Sequence, residues 1–209
     1  MGRTSDAKAR LIGAAMELIY ARGYSAVGVQ EICAQAGVNK GSFYHFFPSK
    51  QALVLTVIDA YAQYVQQMWE EAMMAVQSPL ERMLQVFKAT YEAHCTLVDA
   101  CGQMRGCPIG NLALELSNQD EIIRQKLWEV FRGWADMVEQ MLRESAVSGE
   151  LHVHDIDTTA QSIIAYFEGV LLLAKTQNDP LVVKQLAQGV KYLLETHRRD
   201  HLDKTNNWE

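Results

Sequence analysis

Apolar residues recur along the chain at the three- and four-residue spacing of an amphipathic α-helix, and the alternation typical of a β-strand does not occur. The first periodic segment covers residues 7–22 and stops at Gly23. One face of this segment carries the apolar stripe Leu11, Ala14, Ala15, Leu18 and Ile19. Because the same period returns through the rest of the chain, the sequence predicts an all-α fold.

Start and stop signals divide this pattern into separate predicted helices. Gly37 has the position of a C-terminal cap, and Asn39 is a good N-cap for the short helix that follows it. The segment SPLE at residues 78–81 combines a capping box with a proline at the first helical position, and Asp157 is the predicted cap of a later helix. The predicted helices cover about residues 7–22, 29–36, 40–46, 50–76, 79–98, 108–116, 120–147, 157–177 and 181–197.

The charge of the chain is unevenly distributed, and this changes what the net charge of −6 implies. Residues 1–50 contain six of the 19 basic residues and three of the 25 acidic ones, a net charge of +3, which leaves −9 for the remainder. A basic N-terminal segment on an acidic body indicates that only the N-terminal segment meets a polyanion. Chance partitioning of solvated surface charge is the alternative interpretation.

Membrane and metal chemistry are not indicated by the sequence. No apolar run approaches the roughly 20 residues that span a bilayer, and no hydrophobic segment follows the basic N-terminus, so we expect a cytoplasmic protein. The spacing of the four cysteines matches no common zinc pattern, and we expect free thiols. His152 and His154 lie two residues apart without a third ligand, which favours solvated surface over a metal site. We therefore predict no metal and no cofactor.

Residues 29–46 have the layout of a helix-turn-helix, with the first helix packed behind it. The third helix of such a motif is the one that enters the major groove of DNA. At its start, Lys40 supplies a cation and Gly41 allows close approach to a phosphate. We expect Phe43 and Phe47 to fasten this helix to the core, which leaves the polar side chains between and around them for contact.

The string RGYSAVGVQEICAQAGVNKGSFYHFFPSK resembles the DNA-binding domain of the TetR/AcrR family of bacterial transcriptional regulators. The matching positions are Gly23, Tyr24, Ile32, Ala36, Gly37, Val38, Lys40, Gly41, Tyr44, Phe47 and Lys50. Two positions depart from the family pattern, because Gly28 stands where serine or threonine is usual and Phe46 where histidine or tyrosine is common. The resemblance implies a three-helix DNA-binding domain at residues 1–50 and a larger helical domain at residues 51–209 for effector binding and dimerisation.

The resemblance also implies a function: a dimeric, ligand-responsive regulator, a repressor and not an enzyme, that binds a palindromic operator and is released by a small apolar or electrophilic effector. The implied DNA contacts are Gln30, Asn39, Lys40, Gly41, Ser42, Tyr44, His45 and Lys50. Most of them would grip the backbone, and base reading would fall to Gln30, Lys40 and Ser42. The implied partners are operator DNA, a small-molecule effector and a second copy of the chain.

The body of the chain contains aromatic and sulfur residues at helical spacing, compatible with an apolar effector pocket. The candidate pocket residues are Tyr64, Met68, Phe87, Tyr91, Cys95, Cys107, Trp128, Phe131 and Tyr166. For each of them, ordinary core packing is the alternative. The last two long helices carry a further apolar stripe, which we expect to serve both the monomer core and a two-fold interface. Its members are Ile163, Tyr166, Phe167, Val170, Leu171, Leu173, Ala174, Leu186, Val190, Leu193 and Leu194.

Cys107 stands between Gly106 and Pro108, in a turn that should open a short helix. A thiol at a helix N-terminus has its thiolate stabilised by the free amides, so Cys107 is a candidate sensor of electrophiles or oxidants; the alternative is a small packing residue. A thiol-dependent enzyme using Cys107 or Cys95 is a second hypothesis, with no phosphate loop or catalytic triad in the sequence to support it. A DNA-binding protein without an effector is a third.

Overall fold

The structure is a computed structural model, and it describes residues 2–74, 76–148 and 153–199. This part of the chain contains ten α-helices and no β-strand, so the all-α prediction is confirmed. The helices are α1 (Gly2–Arg22), α2 (Val29–Ala36), α3 (Lys40–Phe46), α4 (Lys50–Met73), α5 (Pro79–Cys101), α6 (Pro108–Leu116), α7 (Glu121–Ser148), α8 (Ile156–Gln177), α9 (Leu181–Leu186) and α10 (Gly189–Arg199).

The chain divides into two compact units, and each is made of two segments. Unit 1 contains residues 1–66 and 105–130, and unit 2 contains residues 67–104 and 131–209. The boundaries therefore fall within α4 and within α7. The sequence analysis divided the chain at residue 50 into a DNA-binding domain and an effector-binding domain, and that functional division stays a prediction.

Hydrogen bonds and an ion pair join the two segments of unit 1. The Tyr20 hydroxyl donates to the Gly106 carbonyl at 2.5 Å. The Gln51 amide donates to Asp120 at 2.6 Å, and the Lys126 ammonium lies 2.6 Å from an Asp59 carboxylate oxygen. Beneath these polar links the unit has a hydrocarbon core, whose largest fully buried side chains are Leu11, Ile32, Phe43, Leu53, Ile58, Ile109, Leu116, Ile123 and Leu127.

Aromatic rings form the centre of unit 2. The Trp69 ring lies 5.2 Å from that of Trp134 and 5.3 Å from that of Phe167, measured between centroids. Phe87 lies 5.2 Å from Phe167 and meets it edge to face. Tilted and edge-to-face pairs at these distances are the favoured geometries of aromatic side chains, so the cluster links α4, α5, α7 and α8.

The prediction of one helix over residues 181–197 is wrong, because the chain forms α9 and α10 with a break between them. The Tyr166 hydroxyl donates to the Leu186 carbonyl at 2.6 Å, so this carbonyl is engaged outside the helix. A Cβ atom at Gly189 would lie 1.9 Å from the Tyr166 hydroxyl oxygen, so only glycine fits there. Between α9 and α10 the backbone forms hydrogen bonds of the 3₁₀ type, from an N–H to the carbonyl three residues earlier, such as Lys191 N–H to the Gln188 carbonyl at 3.1 Å.

The α8 helix begins at a different cap from the predicted one, and a single asparagine ends it. Asp155, and not Asp157, is the N-cap, and its carboxylate accepts from the Thr158 amide at 3.0 Å. At the other end Asn178 adopts a left-handed conformation with φ of 53°. Its side-chain oxygen accepts from the Met104 amide at 2.7 Å, and its NH₂ donates to the Gly102 carbonyl at 3.2 Å. This asparagine therefore ties the end of α8 to the segment after α5.

Among the described residues, no helix is long and apolar enough to cross a membrane, and no group of three or more His, Cys, Asp or Glu side chains is placed to hold a metal ion. His152, from the sequence analysis, lies outside the described residues. All four cysteines are free thiols, as the sequence predicted.

Candidate functional site

Local capping fixes the start of α3. The Asn39 side chain accepts from the Ser42 amide at 2.7 Å, which confirms Asn39 as the N-cap. A Cβ atom at Gly41 would lie 3.3 Å from the same Asn39 oxygen, a tight contact, so glycine at this position leaves room for the cap. Gly37 ends α2 in the left-handed region with φ of 62°, as predicted. By contrast, Gly28 caps α2 without a side-chain hydrogen bond.

The α3 helix buries its phenyl rings and exposes its polar side chains. Phe43 and Phe47 are 0% and 3% exposed, which confirms the prediction that they fasten the helix to the core. The exposed candidate contacts are Gln30, Asn39, Lys40, Gly41, Tyr44 and His45, and the half-buried ones are Ser42 and Lys50. The Lys40 ammonium lies 6.0 Å from the centre of the Tyr44 ring, so a cation and a phenol share the outer face.

Lys50 is not a free surface lysine. Its ammonium donates to the Tyr24 carbonyl at 2.5 Å and lies 3.8 Å above the centre of the Tyr24 ring. Burial lowers the pKa of Lys50, and the carboxylate of Glu115 partly opposes this shift. Lys50 therefore stabilises the turn between α1 and α2.

Glu115, near the end of α6, holds the same turn from another side. Its carboxylate accepts from the amides of Tyr24 at 2.8 Å and Ser25 at 2.7 Å. Gly23 has φ of +86°, and a Cβ atom there would lie 2.9 Å from a Glu115 oxygen. Burial alone would raise the pKa of Glu115, but the Ser25 amide and side chain, the Tyr24 amide and the charge of Lys50 together hold the pKa below its usual value. Sequence reasoning missed this residue, although a single acid in an apolar helix was a usable signal.

Cys107 begins α6 as its N-cap. Its sulfur accepts from the Gly110 amide at 3.3 Å, and its side chain is 7% exposed. The preceding turn is fixed by Gly106 with φ of 72° and by the Asn111 side chain, which donates to the Arg105 carbonyl at 2.8 Å. Of the other thiols, Cys33 is buried, Cys95 half-buried and Cys101 exposed. The predicted opening of a helix at this turn is confirmed.

Unit 2 contains a cavity of about 20 Å³ beside the aromatic cluster. The lining residues are hydrophobic and rich in methionine: Trp69, Met73, Met83, Val86, Phe87, Met137, Val138, Met141, Ile163, Ile164 and Phe167. Trp69 is 3% exposed, and its indole Nε1–H is buried with no hydrogen-bond acceptor within reach. The cavity wall is therefore apolar, and four of its side chains are flexible thioethers.

The candidate pocket residues do not come together at one site in the structure. Phe87 lines the cavity, and the ring of Tyr166 lies 6.2 Å from that of Phe87. The ring of Phe131 lies 5.7 Å from that of Trp134, which is not part of the wall. Tyr64 and Trp128 are 58% and 54% exposed and belong with Cys107 to unit 1, so these three do not line it. Met68, Tyr91 and Cys95 are half-buried in unit 2 and are not part of its wall. Met73 and Met141, four residues after Trp69 and Met137, were the signal that the sequence analysis missed.

The exposed face of α8 carries an apolar stripe. Leu172 and Leu173 are 52% and 49% exposed, whereas Phe167, Val170 and Leu171 are buried in the core. Gly169 and Ala165 lie on the same outer face, one and two turns before these leucines respectively, and nothing lies within 4 Å of a Cβ placed on Gly169. The stripe predicted from sequence therefore separates into a core side and an outer side.

A helix-turn-helix that exposes the polar face of its third helix, joined to a larger helical unit, defines this chain as a helix-turn-helix DNA-binding protein. Comparison with known families narrows the class. Residues 11–57 match the family described as bacterial regulatory proteins, tetR family, and residues 79–188 match the C-terminal domain of LmrA/YxaF-like transcriptional regulators. The chain belongs to the TetR family of bacterial transcriptional regulators.

Individual relatives agree with this assignment. The chain is 35% identical to the transcriptional regulator AcuR of Cereibacter sphaeroides, over 81% of this chain and 77% of AcuR. It is 29% identical to the transcriptional repressor DhaR of a Mycobacterium species, over 86% of this chain and 87% of DhaR. A crystal structure of the regulatory protein TetR from Rhodobacter sphaeroides is 32% identical, with a TM-score of 0.80 over 90% of this chain and 98% of that one.

Proposed function

We propose that the protein is a homodimeric, ligand-responsive transcriptional repressor that binds a palindromic operator and is released by a small effector. The observation that carries this proposal is the exposed polar face of α3, held by the Asn39 cap and by two buried phenylalanines. We propose repression and not activation because relatives such as DhaR are named repressors. Each α3 would enter one half-site, with half-sites one or more helical turns apart, about 34–36 Å for one turn.

The proposed DNA contacts fall into two groups. Asn39, Gly41, Tyr44, His45 and Lys50 would hold phosphates, and Gln30, Lys40 and Ser42 would reach base edges. The exposure of Lys40 and Tyr44 on one face supports their assignment. Lys50 would have a structural role as well as a phosphate contact, because its ammonium donates one hydrogen bond to the Tyr24 carbonyl and retains further N–H groups for a phosphate.

The proposed dimer interface is the outer stripe of α8 together with α10. Leu172 and Leu173 present exposed hydrocarbon, and Gly169 lets a second backbone approach closely. Tyr192 on α10 is 69% exposed and belongs to the same unit. An isologous pairing of such stripes buries apolar side chains that a monomer would leave in water.

The effector would enter the cavity of unit 2. At about 20 Å³ this space has room for one water molecule. A cavity of this size is also compatible with a DNA-binding protein that has no effector. Four methionines in the wall favour an effector, because unbranched thioether side chains repack around a guest with little strain. Binding would favour a conformation whose α3 spacing no longer matches the operator.

An electrophilic effector is the second form of this proposal, and the N-cap position of Cys107 favours it. Its 7% exposure favours the competing interpretation as a packing residue. Mass spectrometry after brief maleimide treatment separates them, with exposed Cys101 as the internal standard. Faster modification of Cys107 than of Cys101 would support a sensor, and modification of Cys101 alone would leave Cys107 a packing residue.

The repressor proposal is tested with purified protein and DNA from around its own gene. We expect a gel shift at low salt with at least one such fragment, an excess of affinity over scrambled DNA, and loss of the shift in Tyr44→Ala. Gly133→Ala is the matched control, since its site in α7 is open and lies outside the helix-turn-helix. Equal affinity for all DNA, or an unaffected Tyr44→Ala, would contradict the proposal.

A further inference from the structure

The cavity of unit 2 offers no hydrogen-bonding group to a guest. Four helices, α4, α5, α7 and α8, build its wall, and each contributes residues three or four positions apart on one face. The backbone amides and carbonyls of a helix bond to one another within that helix. The side chains present hydrocarbon, aromatic rings and thioethers, so the accessible surface of the cavity is wholly apolar. The Trp69 indole N–H therefore does not open onto it.

A cavity with such a wall stays dry. The volume of about 20 Å³ has room for one water molecule, but a buried water normally makes about three hydrogen bonds. The wall supplies none of them. Atoms that line a dry space lack contacts on that side, so an apolar guest gains dispersion contacts in addition to leaving water. Dry apolar cavities in other proteins take up benzene or xenon for this reason.

Four methionines make the wall adjustable. Met83 and Met141 are buried, whereas Met73 and Met137 are half-buried, so these two side chains reach both the cavity and the solvent. The four are drawn from the nine methionines of the chain and surround one space. Because an unbranched thioether side chain has three rotatable bonds, they can turn aside for a guest of several heavy atoms. Branched side chains of fixed shape would close the space instead.

Polar molecules are excluded by what the wall lacks. A hydroxyl or carbonyl group in this cavity would lose its hydrogen bonds to water and gain none, and a charged group would lose far more. For one unpaired polar group the loss of affinity is about tenfold to a hundredfold, relative to a hydrocarbon of the same shape.

We infer that the cavity of unit 2 takes a small hydrocarbon, a molecule with neither a charge nor a hydrogen-bonding group, and that Met73 and Met137 turn aside to admit it. This inference rests on the proposed function, since it names a chemical class for the effector of the proposed cavity. It also narrows that function, because carboxylates, alcohols and ketones are poor ligands of such a wall.

The test uses the full chain, labelled with ¹³C at the methionine methyl groups and free of DNA. Isobutene and acetone are the probes, because they have the same shape and differ by a methylene in place of an oxygen. We expect isobutene to move the resonances of the four wall methionines saturably and to leave Met16 of unit 1 unmoved. Acetone should bind at least about tenfold more weakly. Each resonance is assigned by its absence in a single methionine-to-leucine variant.

A matched pair of variants locates the binding. Val86→Ile adds a methylene to the wall and should raise the dissociation constant for isobutene about tenfold. Val170→Ile adds the same group at a buried position of unit 2 outside the wall, and should leave the dissociation constant unchanged. Equal affinities in the two variants would overturn the inference. Isobutene that moves no wall methionine, or acetone that binds as tightly, would overturn it too.

Operator binding is measured separately, with and without isobutene, so the two proposals fail in different ways. Wall methionines that respond to isobutene while the operator stays bound would contradict the effector role and leave the ligand class standing. A protein that binds no operator at all would contradict the repressor proposal, whereas the methionine resonances would still decide the ligand class.

Discussion

Replacing Glu115 removes two hydrogen bonds that hold the turn between α1 and α2. Both bonds run from backbone amides, of Tyr24 and Ser25, to a carboxylate, at 2.8 and 2.7 Å. Bonds to a charged group each contribute about 1.5–3 kcal/mol, and the partial exposure of Glu115 places them at the lower end. Glu115→Ala should therefore lower the free energy of unfolding by about 3 kcal/mol, or the melting temperature by about 6–12 °C for a chain of this size. Glu115→Gln keeps one acceptor oxygen and should lose about half as much.

Two assays test this reasoning. Hydrogen exchange should show the Tyr24 and Ser25 amides protected in the parent and unprotected in Glu115→Ala, with the amides of unit 2 unchanged. Acidification should act like the mutation. Since the folded state depresses the pKa of Glu115, the stabilisation is full above its ordinary value of 4.5 and is lost as the pH falls through the lower, folded-state pKa. The difference in stability between parent and Glu115→Gln should shrink in that acid range.

Operator binding should respond in a particular way. A loosened turn misplaces α2 and α3, so affinity falls, but no phosphate contact is removed and the salt dependence keeps its slope. Equal exchange rates for the two amides in parent and Glu115→Ala would refute the reasoning, because the carboxylate would then not be holding them. A changed salt slope would show instead that Glu115 acts through the charge of the DNA-facing surface.

Four further outcomes follow from the structure. Lys40→Ala should lose about 1–3 kcal/mol of discrimination at one base pair, because Lys40 is proposed to reach a base edge, and equal losses on operator and scrambled DNA would make it a phosphate contact instead. Lys50→Ala should lose stability and should flatten the dependence of log affinity on log salt by about one unit per subunit; an unchanged slope would show that Lys50 only holds the Tyr24 carbonyl. Gly189→Ala should cost about 1–3 kcal/mol in thermal unfolding because it displaces the Tyr166 hydroxyl, whereas Gly133→Ala in open space should be neutral or stabilising. Leu173→Arg should convert the proposed dimer to a monomer in light scattering, whereas the control Val147→Arg, at a site 91% exposed, should not. A Leu173→Arg variant that remains dimeric would contradict the proposed interface.

Features set by neighbouring residues were predictable from the sequence. The Asn39 cap, the Gly37 cap and the helix that opens at Pro108 each depend on residues within a few positions. The burial of Phe43 and Phe47 followed from the helix-turn-helix pattern in the same way.

Features set by distant partners were not predictable. The bond between Glu115 and Tyr24 joins residues 91 positions apart, and the break before Gly189 depends on a tyrosine hydroxyl. Nor does periodicity distinguish an aromatic residue that faces a core from one that faces solvent. Trp134 is buried and Trp128 exposed, although both follow the helical spacing of α7, because only the packing of other helices decides which face is covered.

The assembly of unit 1 from residues 1–66 and 105–130 has a consequence for biosynthesis. A nascent chain that ends at residue 66 contains all three helices of the helix-turn-helix region but not Gly106, Glu115, Asp120 or Lys126, which bond to it. At about 5–20 residues per second, the ribosome needs about 3–13 s to supply the missing segment. During that interval the face of the early helices that α6 and the start of α7 will cover stays open to water. The hydrogen bonds that hold the turn between α1 and α2 are thus completed only after the intervening part of unit 2 has been translated.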